Sequence, residues 1–141
     1  MGKNILITGA TGFVGSSLLK RLIYLGYNVK CIVRNKKNLD KIKNLNVDIV
    51  FGDITNRDSI KNSMNDIDVV FHLAILVNVA ECLKNPIKAF KTNTVGTLNL
   101  LEEIREETKN TSKEIFFIYL SSDRVYGNCT GIVNEEIFPH P

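Results

Sequence analysis

Ile5-Leu6-Ile7-Thr8-Gly9-Ala10-Thr11-Gly12-Phe13-Val14-Gly15 is the stretch that decides the fold. An apolar run enters glycines spaced three apart, and an amphipathic pattern follows from Phe13 to Leu25. Gly9 allows a tight turn. Gly12 lets the backbone come close to a pyrophosphate at the positive end of the next helix, and Gly15 lets that helix pack on the strand. Strand, turn and helix stand in the order that such a loop requires. The spacing is not G-x-G-x-x-G, and no Gly-Lys-Ser/Thr follows, which excludes a P-loop. Without a ligand the same residues would form only a tight βα turn.

Similar runs recur outward from this one. Asn4–Thr8, Val29–Val33, Val47–Phe51, Val69–Leu73 and Ile115–Leu120 read as strands, rich in branched residues and apolar on both faces. Helical patterns lie between them. The first, Phe13–Leu25, carries Val14, Leu18, Leu22 and Leu25 on one face, with Gly26 to stop it. Short helices are expected near Leu39–Lys43 and Arg57–Met64, and a long one over Ile87–Thr108 with Pro86 in its first turn. In the long helix Phe90, Thr94, Thr97, Leu98 and Leu101 form the expected buried stripe; Glu102, Glu103, Arg105, Glu106 and Glu107 form the wet one. Repeated βα units with right-handed crossovers predict an α/β, doubly wound parallel sheet of five strands in the order 3-2-1-4-5.

The chain has 141 residues, 44% hydrophobic and 23% charged, with net charge +3. That suits one globular domain and argues against nucleic acid as a partner. No apolar run is long enough for a membrane span, and none after Met1-Gly2-Lys3 suits a signal peptide. Cys31, Cys82 and Cys129 lack metal-ligand spacing and read as reduced thiols, so no metal site and a cytoplasmic location are expected.

Thr8-Gly9-Ala10-Thr11-Gly12-Phe13-Val14-Gly15 resembles the signature of the extended short-chain dehydrogenase/reductase family. That family includes NAD(P)-dependent sugar-nucleotide epimerases and dehydratases and dihydroflavonol-reductase-like enzymes. The likeness covers essentially the whole chain and implies that residues 1–141 are an NAD(P)-binding Rossmann domain. It implies that Gly9, Thr11, Gly12, Phe13, Val14 and Gly15 hold the cofactor.

At the end of the second strand Val33 stands where NAD-preferring relatives carry Asp, and Arg34, Lys36 and Lys37 follow. These cations could grip a 2′-phosphate, which favours NADP, with NAD as the other candidate. They also read as a solvated surface run. Gly52-Asp53-Ile54 resembles the family's Gly-Asp pair, in which Asp53 would accept from the adenine amino group and the Ile54 amide would meet the ring. A turn or cap aspartate is the plainer reading. Phe71-His72-Leu73-Ala74 resembles the family's His-Leu-Ala-Ala, with Ile75 in place of the second alanine. It implies that Leu73 and Ala74 pack along the pyrophosphate and ribose and that His72 is structural. Asn93 lies in a motif, Asn93-Thr94-Val95-Gly96-Thr97, whose asparagine would fix the turn after the fourth strand. Gly96 in mid-helix points to close packing against a strand.

Tyr119-Leu120-Ser121-Ser122-Asp123-Arg124-Val125-Tyr126-Gly127 matches the family segment after the fifth strand. Ser122 falls on the catalytic Ser/Thr position, where its hydroxyl would bond the substrate oxygen; the alternative is a turn cap. Asp123 falls where 4,6-dehydratases carry an acid that protonates the departing hydroxyl, although Arg124 replaces the Glu that follows in those enzymes. The family's base is a Tyr-x-x-x-Lys pair, and no tyrosine here has a lysine four residues later. The expectation is therefore an N-terminal part of an epimerase, dehydratase or reductase acting on a sugar nucleotide or related hydroxyl/carbonyl substrate, inactive by itself. Members of the family often dimerise through the long helix, so the full-length form could be a homodimer. A non-catalytic NADP(H)-binding sensor is the alternative.

Overall fold

β1 (Asn4–Thr8) is the central strand of a five-stranded, all-parallel sheet with spatial order β3-β2-β1-β4-β5. The other strands are β2 (Asn28–Val33), β3 (Asp48–Phe51), β4 (Val69–His72) and β5 (Phe116–Tyr119). The computed structural model describes residues 2–141; Met1, first residue of the expected domain, lies outside them. Both the doubly wound α/β class and the order 3-2-1-4-5 are those the sequence predicts. Side chains of β1 alternate across the sheet. Ile5 and Ile7 enter a core with Leu19, Leu22, Val29, Cys31, Val33 and Ile42, whereas Leu6 enters a second core with Ile32, Ile54, Ile60, Met64, Val70 and Leu100. Burying both faces explains why this strand reads as an unbroken apolar run. The edge strands depart from that expectation: β3 and β5 are each half-buried at their middles and exposed at their ends.

α1 (Phe13–Tyr24) ends in a Schellman motif. Gly26 takes φ +80°, its N–H donates to the Ile23 carbonyl, and the Tyr27 N–H donates to the Leu22 carbonyl. The face of α1 is rotated from the predicted stripe. Gly15, Leu19 and Leu22 are buried, Leu18 is half-buried, and Val14 and Leu25 are exposed. Gly15 sets this rotation, because its Cα lies against the Gly9 carbonyl and a Cβ there would collide with it.

The predicted short helices also differ. The first is a 3-10 helix, Lys36–Lys41, started by the Asn35 side chain accepting from the Lys37 N–H. The second, α2 (Arg57–Ile60), is a single turn, and Asn62 beyond it has φ +61°. α3 (Val79–Lys84) has no counterpart in the sequence reading. The predicted long helix comprises α4 (Pro86–Phe90), a π-helical turn Lys91–Val95, and α5 (Gly96–Thr111).

The buried row of α5 is Gly96, Leu100 and Glu103, while Phe90, Thr94, Leu98 and Leu101 of the expected stripe are exposed. Gly96 decides this too: a Cβ there would lie 2.7 Å from Ile54 Cδ1. The close approach is to a loop side chain, not to a strand. Glu103, expected in solvent, is buried and accepts from Arg57 Nε at 2.8 Å; Arg57 Nη2 also meets Glu106 at 2.7 Å.

Candidate cofactor cleft

The carboxyl ends of β1 to β4 open into a cleft of about 400 Å³. This is the edge where doubly wound sheets take ligands, beside the point where strand order reverses. Its floor is the glycine turn. Gly9 has φ +75°, and a Cβ there would lie 2.6 Å from the Leu73 carbonyl carbon and oxygen, so only glycine fits. The Gly12 N–H donates to the Gly9 carbonyl at 2.9 Å, and Gly12 is the N-cap of α1. A Cβ at Gly12 would meet only the Gly9 oxygen, at 3.2 Å, so the space beyond is open. The first turn of α1 has no side-chain cap and no acidic residue. Backbone amides and helix dipole therefore face an open cradle suited to a phosphate group.

Gly9, Thr11, Gly12, Arg34, Asp53, Ile54, Leu73 and Ala74 all line this cleft. Phe13, Val14, Gly15 and Asn93 do not. Phe13 is almost wholly exposed, Val14 is half-exposed, and Gly15 serves the helix–strand contact. Asn93 acts one step away: the Leu76 N–H donates to its Oδ1 at 2.7 Å and its Nδ2 donates to the Leu76 carbonyl at 3.0 Å, which fixes the segment after β4.

Asp53 has two duties. Its Oδ1 accepts from the Thr55 N–H and hydroxyl, at 2.9 and 2.8 Å, as a turn aspartate does. Its Oδ2 lies 3.9 Å from Arg34 Nη1 across the cleft. α5 holds this loop from behind, because Asn99 Nδ2 donates to the Ile54 carbonyl at 2.7 Å.

Only Arg34 of the basic run reaches the cleft. The Lys36 ammonium stands over the Phe51 ring, 5.3 Å from its centroid, and Lys37 is absent from the lining. Lys41, which sequence reasoning passed over, reaches back to donate to the Thr11 carbonyl at 3.1 Å. Asn35 and Asn38 line the rim beside Arg34, and Glu81, Lys88 and Thr92 line the far side. Lys88 is paired with Glu81 at 2.6 Å. The far-side residues come from α3, α4 and the π-turn. One signal for α3 was present: Asn78 stands three residues before Glu81, and its side chain caps the Glu81 N–H.

Ser122 and Asp123 lie past β5, outside this cleft. Ser122 Oγ donates to Asp123 Oδ1 at 3.0 Å and accepts from the Arg124 N–H at 3.2 Å, so it caps the 3-10 turn Asp123–Tyr126. Both residues are exposed.

His72 is fully buried between Thr8 and Thr97, and burial lowers its pKa to about 4, so it is neutral. Burial likewise pushes the Cys31 thiol up to about 12, which makes it inert; Cys82 and Cys129 are also free thiols. Among the described residues no cluster of three or more His, Cys, Asp or Glu could hold a metal ion, and no helix is long and apolar enough to cross a membrane.

A family model for the NAD dependent epimerase/dehydratase family matches residues 5–141. A UDP-glucose 4-epimerase of Mycoplasma genitalium is 34% identical over 145 residues, covering 94% of this chain and 40% of that protein. An uncharacterized membrane protein of Methanocaldococcus jannaschii is 34% identical over 134 residues, covering 86% of this chain and 37% of that one. A crystal structure of UDP-glucose 4-epimerase from Stenotrophomonas maltophila, with bound NAD and formylated UDP-arabinopyranose, superposes with a TM-score of 0.80 at 26% identity, over 98% of this chain and 43% of that one. The chain thus spans about two fifths of the length of the curated relatives it matches. The family match runs through every strand of the sheet and every wall of the cleft, and the chain belongs to the NAD dependent epimerase/dehydratase family.

Proposed function

We propose that the chain is the dinucleotide-binding part of an NAD(P)-dependent epimerase, dehydratase or reductase whose substrate is a sugar nucleotide. The cleft carries the reading: an uncapped helix start above a glycine turn, with Asp53 on one wall and the Leu73–Leu76 backbone on the other. The glycine turn would hold the pyrophosphate, Asp53 and Ile54 the adenine, and Leu73 and Ala74 the ribose and phosphates. When bound, the nicotinamide supplies hydride transfer to or from a substrate carbon. Ser122 would hold the substrate oxygen, giving up the bond it now donates to Asp123, and Asp123 would be placed to supply a proton.

Arg34 favours NADP. It is exposed at the rim, with its side chain only loosely paired to Asp53, and is free to turn to a 2′-phosphate. NAD is the second reading, favoured by the solved relative that binds it. Fluorescence titration of the chain with NADPH and NADH separates the two. NADPH should bind more tightly, and Arg34→Ala should weaken NADPH while leaving NADH unchanged. Equal loss for both would overturn the NADP preference, and binding of neither would overturn the cofactor reading.

The outward apolar residues Leu83, Ile87, Phe90, Leu98 and Leu101 would form the contact between two copies in the whole protein. Sedimentation of the whole protein tests this, with a monomer as the contrary result. No observation favours a regulatory module.

A further inference from the structure

We infer that His72 is a positioning residue for the cleft: a neutral imidazole, protonated at Nε2, that fixes the Leu73–Leu76 segment against the glycine turn. This rests on the reading of the cleft as the dinucleotide site. The imidazole does not line the cleft, and the backbone it governs does.

The tautomer follows from the two ends of one hydrogen-bond chain. At the start stand the Leu73 and Ala74 N–H groups, which can only donate; each reaches Thr8 Oγ1 at 3.2 Å, and the Leu73 N–H is shared with the Thr8 carbonyl, also at 3.2 Å. At the finish stands the Asn93 carbonyl, which can only accept; Thr97 Oγ1 reaches it at 2.7 Å. Thr8 Oγ1 accepts two amides, so its own proton goes to His72 Nδ1, 2.7 Å away. Thr97 has spent its proton on Asn93, so it accepts from His72 Nε2, 2.9 Å away. Every group between the ends is then set in one direction. The other tautomer would aim three donors at Thr8 Oγ1 and leave a hydroxyl proton without an acceptor.

The chain closes on the segment it governs. Its first donors are Leu73 and Ala74. Asn93, its last member, grips Leu76 through the side-chain amide. Gly9 lies against the Leu73 carbonyl and the Ala74 nitrogen, with no room for a Cβ. Both ends of the segment and the turn opposite are thus tied to one buried ring. Such a network is stiff when complete and costly when one member is unpaired.

The chain has two histidines, so a long-range proton–nitrogen correlation spectrum of the labelled protein at neutral pH reads the tautomer directly. The expected result is a protonated Nε2 and a bare Nδ1 at His72, assigned by loss of its signals in His72→Asn. A protonated Nδ1 would overturn the inference. His72→Phe keeps a ring but no polar atom; it should weaken dinucleotide binding about tenfold and speed amide exchange at Leu73 and Ala74. His72→Asn keeps an acceptor where Nδ1 stood and should recover affinity to within about threefold of the parent. Parent-like affinity in His72→Phe, or equal loss in both variants, would overturn it. If the parent binds neither NADH nor NADPH, the cofactor reading fails alone. The tautomer and the exchange rates of the unliganded protein still decide the role of His72.

Discussion

The tips of β1 and β5 lie on the same edge of one sheet and differ in almost every physical respect. At the β1 tip, Thr8 is fully buried, its hydroxyl is engaged by His72 and two loop amides, and the glycine turn beyond it packs against Leu73. At the β5 tip, Tyr119 and Leu120 are half-exposed and meet only β4, through the His72 ring and the His72 carbonyl, and the hydrogen bonds of Ser122 all fall within Asp123–Val125. The first tip is fixed by distant parts of the chain. The second is tied to β4 only as far as Leu120, and beyond it Ser122 has local hydrogen bonds alone. Position beside the sheet does not by itself make a rigid site; contacts from far along the chain do.

The comparison can be broken at four points. The largest effect is expected from Gly9→Val, which places a branched side chain at φ +75° against the Leu73 carbonyl. It should abolish detectable dinucleotide binding and destabilise the fold by roughly 3 kcal/mol or more; thermal melting and cofactor titration check both. Acid comes next. His72 is neutral when folded, down to about pH 4, whereas an unfolded histidine takes its proton near 6.5. The unfolded state then binds more protons, so stability is unaffected above pH 6.5 and declines as pH falls from there to about 4, by up to ~3 kcal/mol. Urea midpoints across that range test it, and His72→Asn should remove that portion of the slope.

Arg57→Met is third. It leaves the buried Glu103 carboxylate without its cation and should cost about 2 kcal/mol in urea unfolding, with cofactor binding altered less than stability. Ser122→Ala is last. It removes an exposed cap and should change stability by no more than about 0.5 kcal/mol, leaving dinucleotide affinity at the parent value. A large drop in affinity would mean that the two tips are coupled, which sharpens the contrast into a question of how.

The strands and the glycine turn were legible because branched apolar runs and glycine spacing are local signals with one geometric meaning. The helices were less so. From Ile87 to Thr108 the periodicity looks continuous, and a π-turn of five residues leaves no mark on it. Periodicity also identifies a face without naming its partner. Phe90, Leu98 and Leu101 resemble core, yet the sheet side is set by Gly96 against Ile54, and Glu103 follows it inward because Arg57 waits there. The cleft was legible where one segment supplies a wall, as at Gly9 or Asp53. It was not legible at Glu81, Lys88 and Thr92, which meet there only after α3, α4 and the π-turn have folded back.

The contact between Gly9 and Leu73 has a consequence for synthesis. β1 is the centre of the sheet, yet half of its partners lie on β4, and Thr8 and His72 are 64 residues apart. At roughly 5–20 residues per second, a ribosome takes about 3–13 s to supply that distance. Until that interval ends the glycine turn lacks its Leu73 ceiling, and β1 can pair on the β2 side only. β1 and its turn are thus made well before they can be finished, and any chaperone that attends them would meet the open flank of β1.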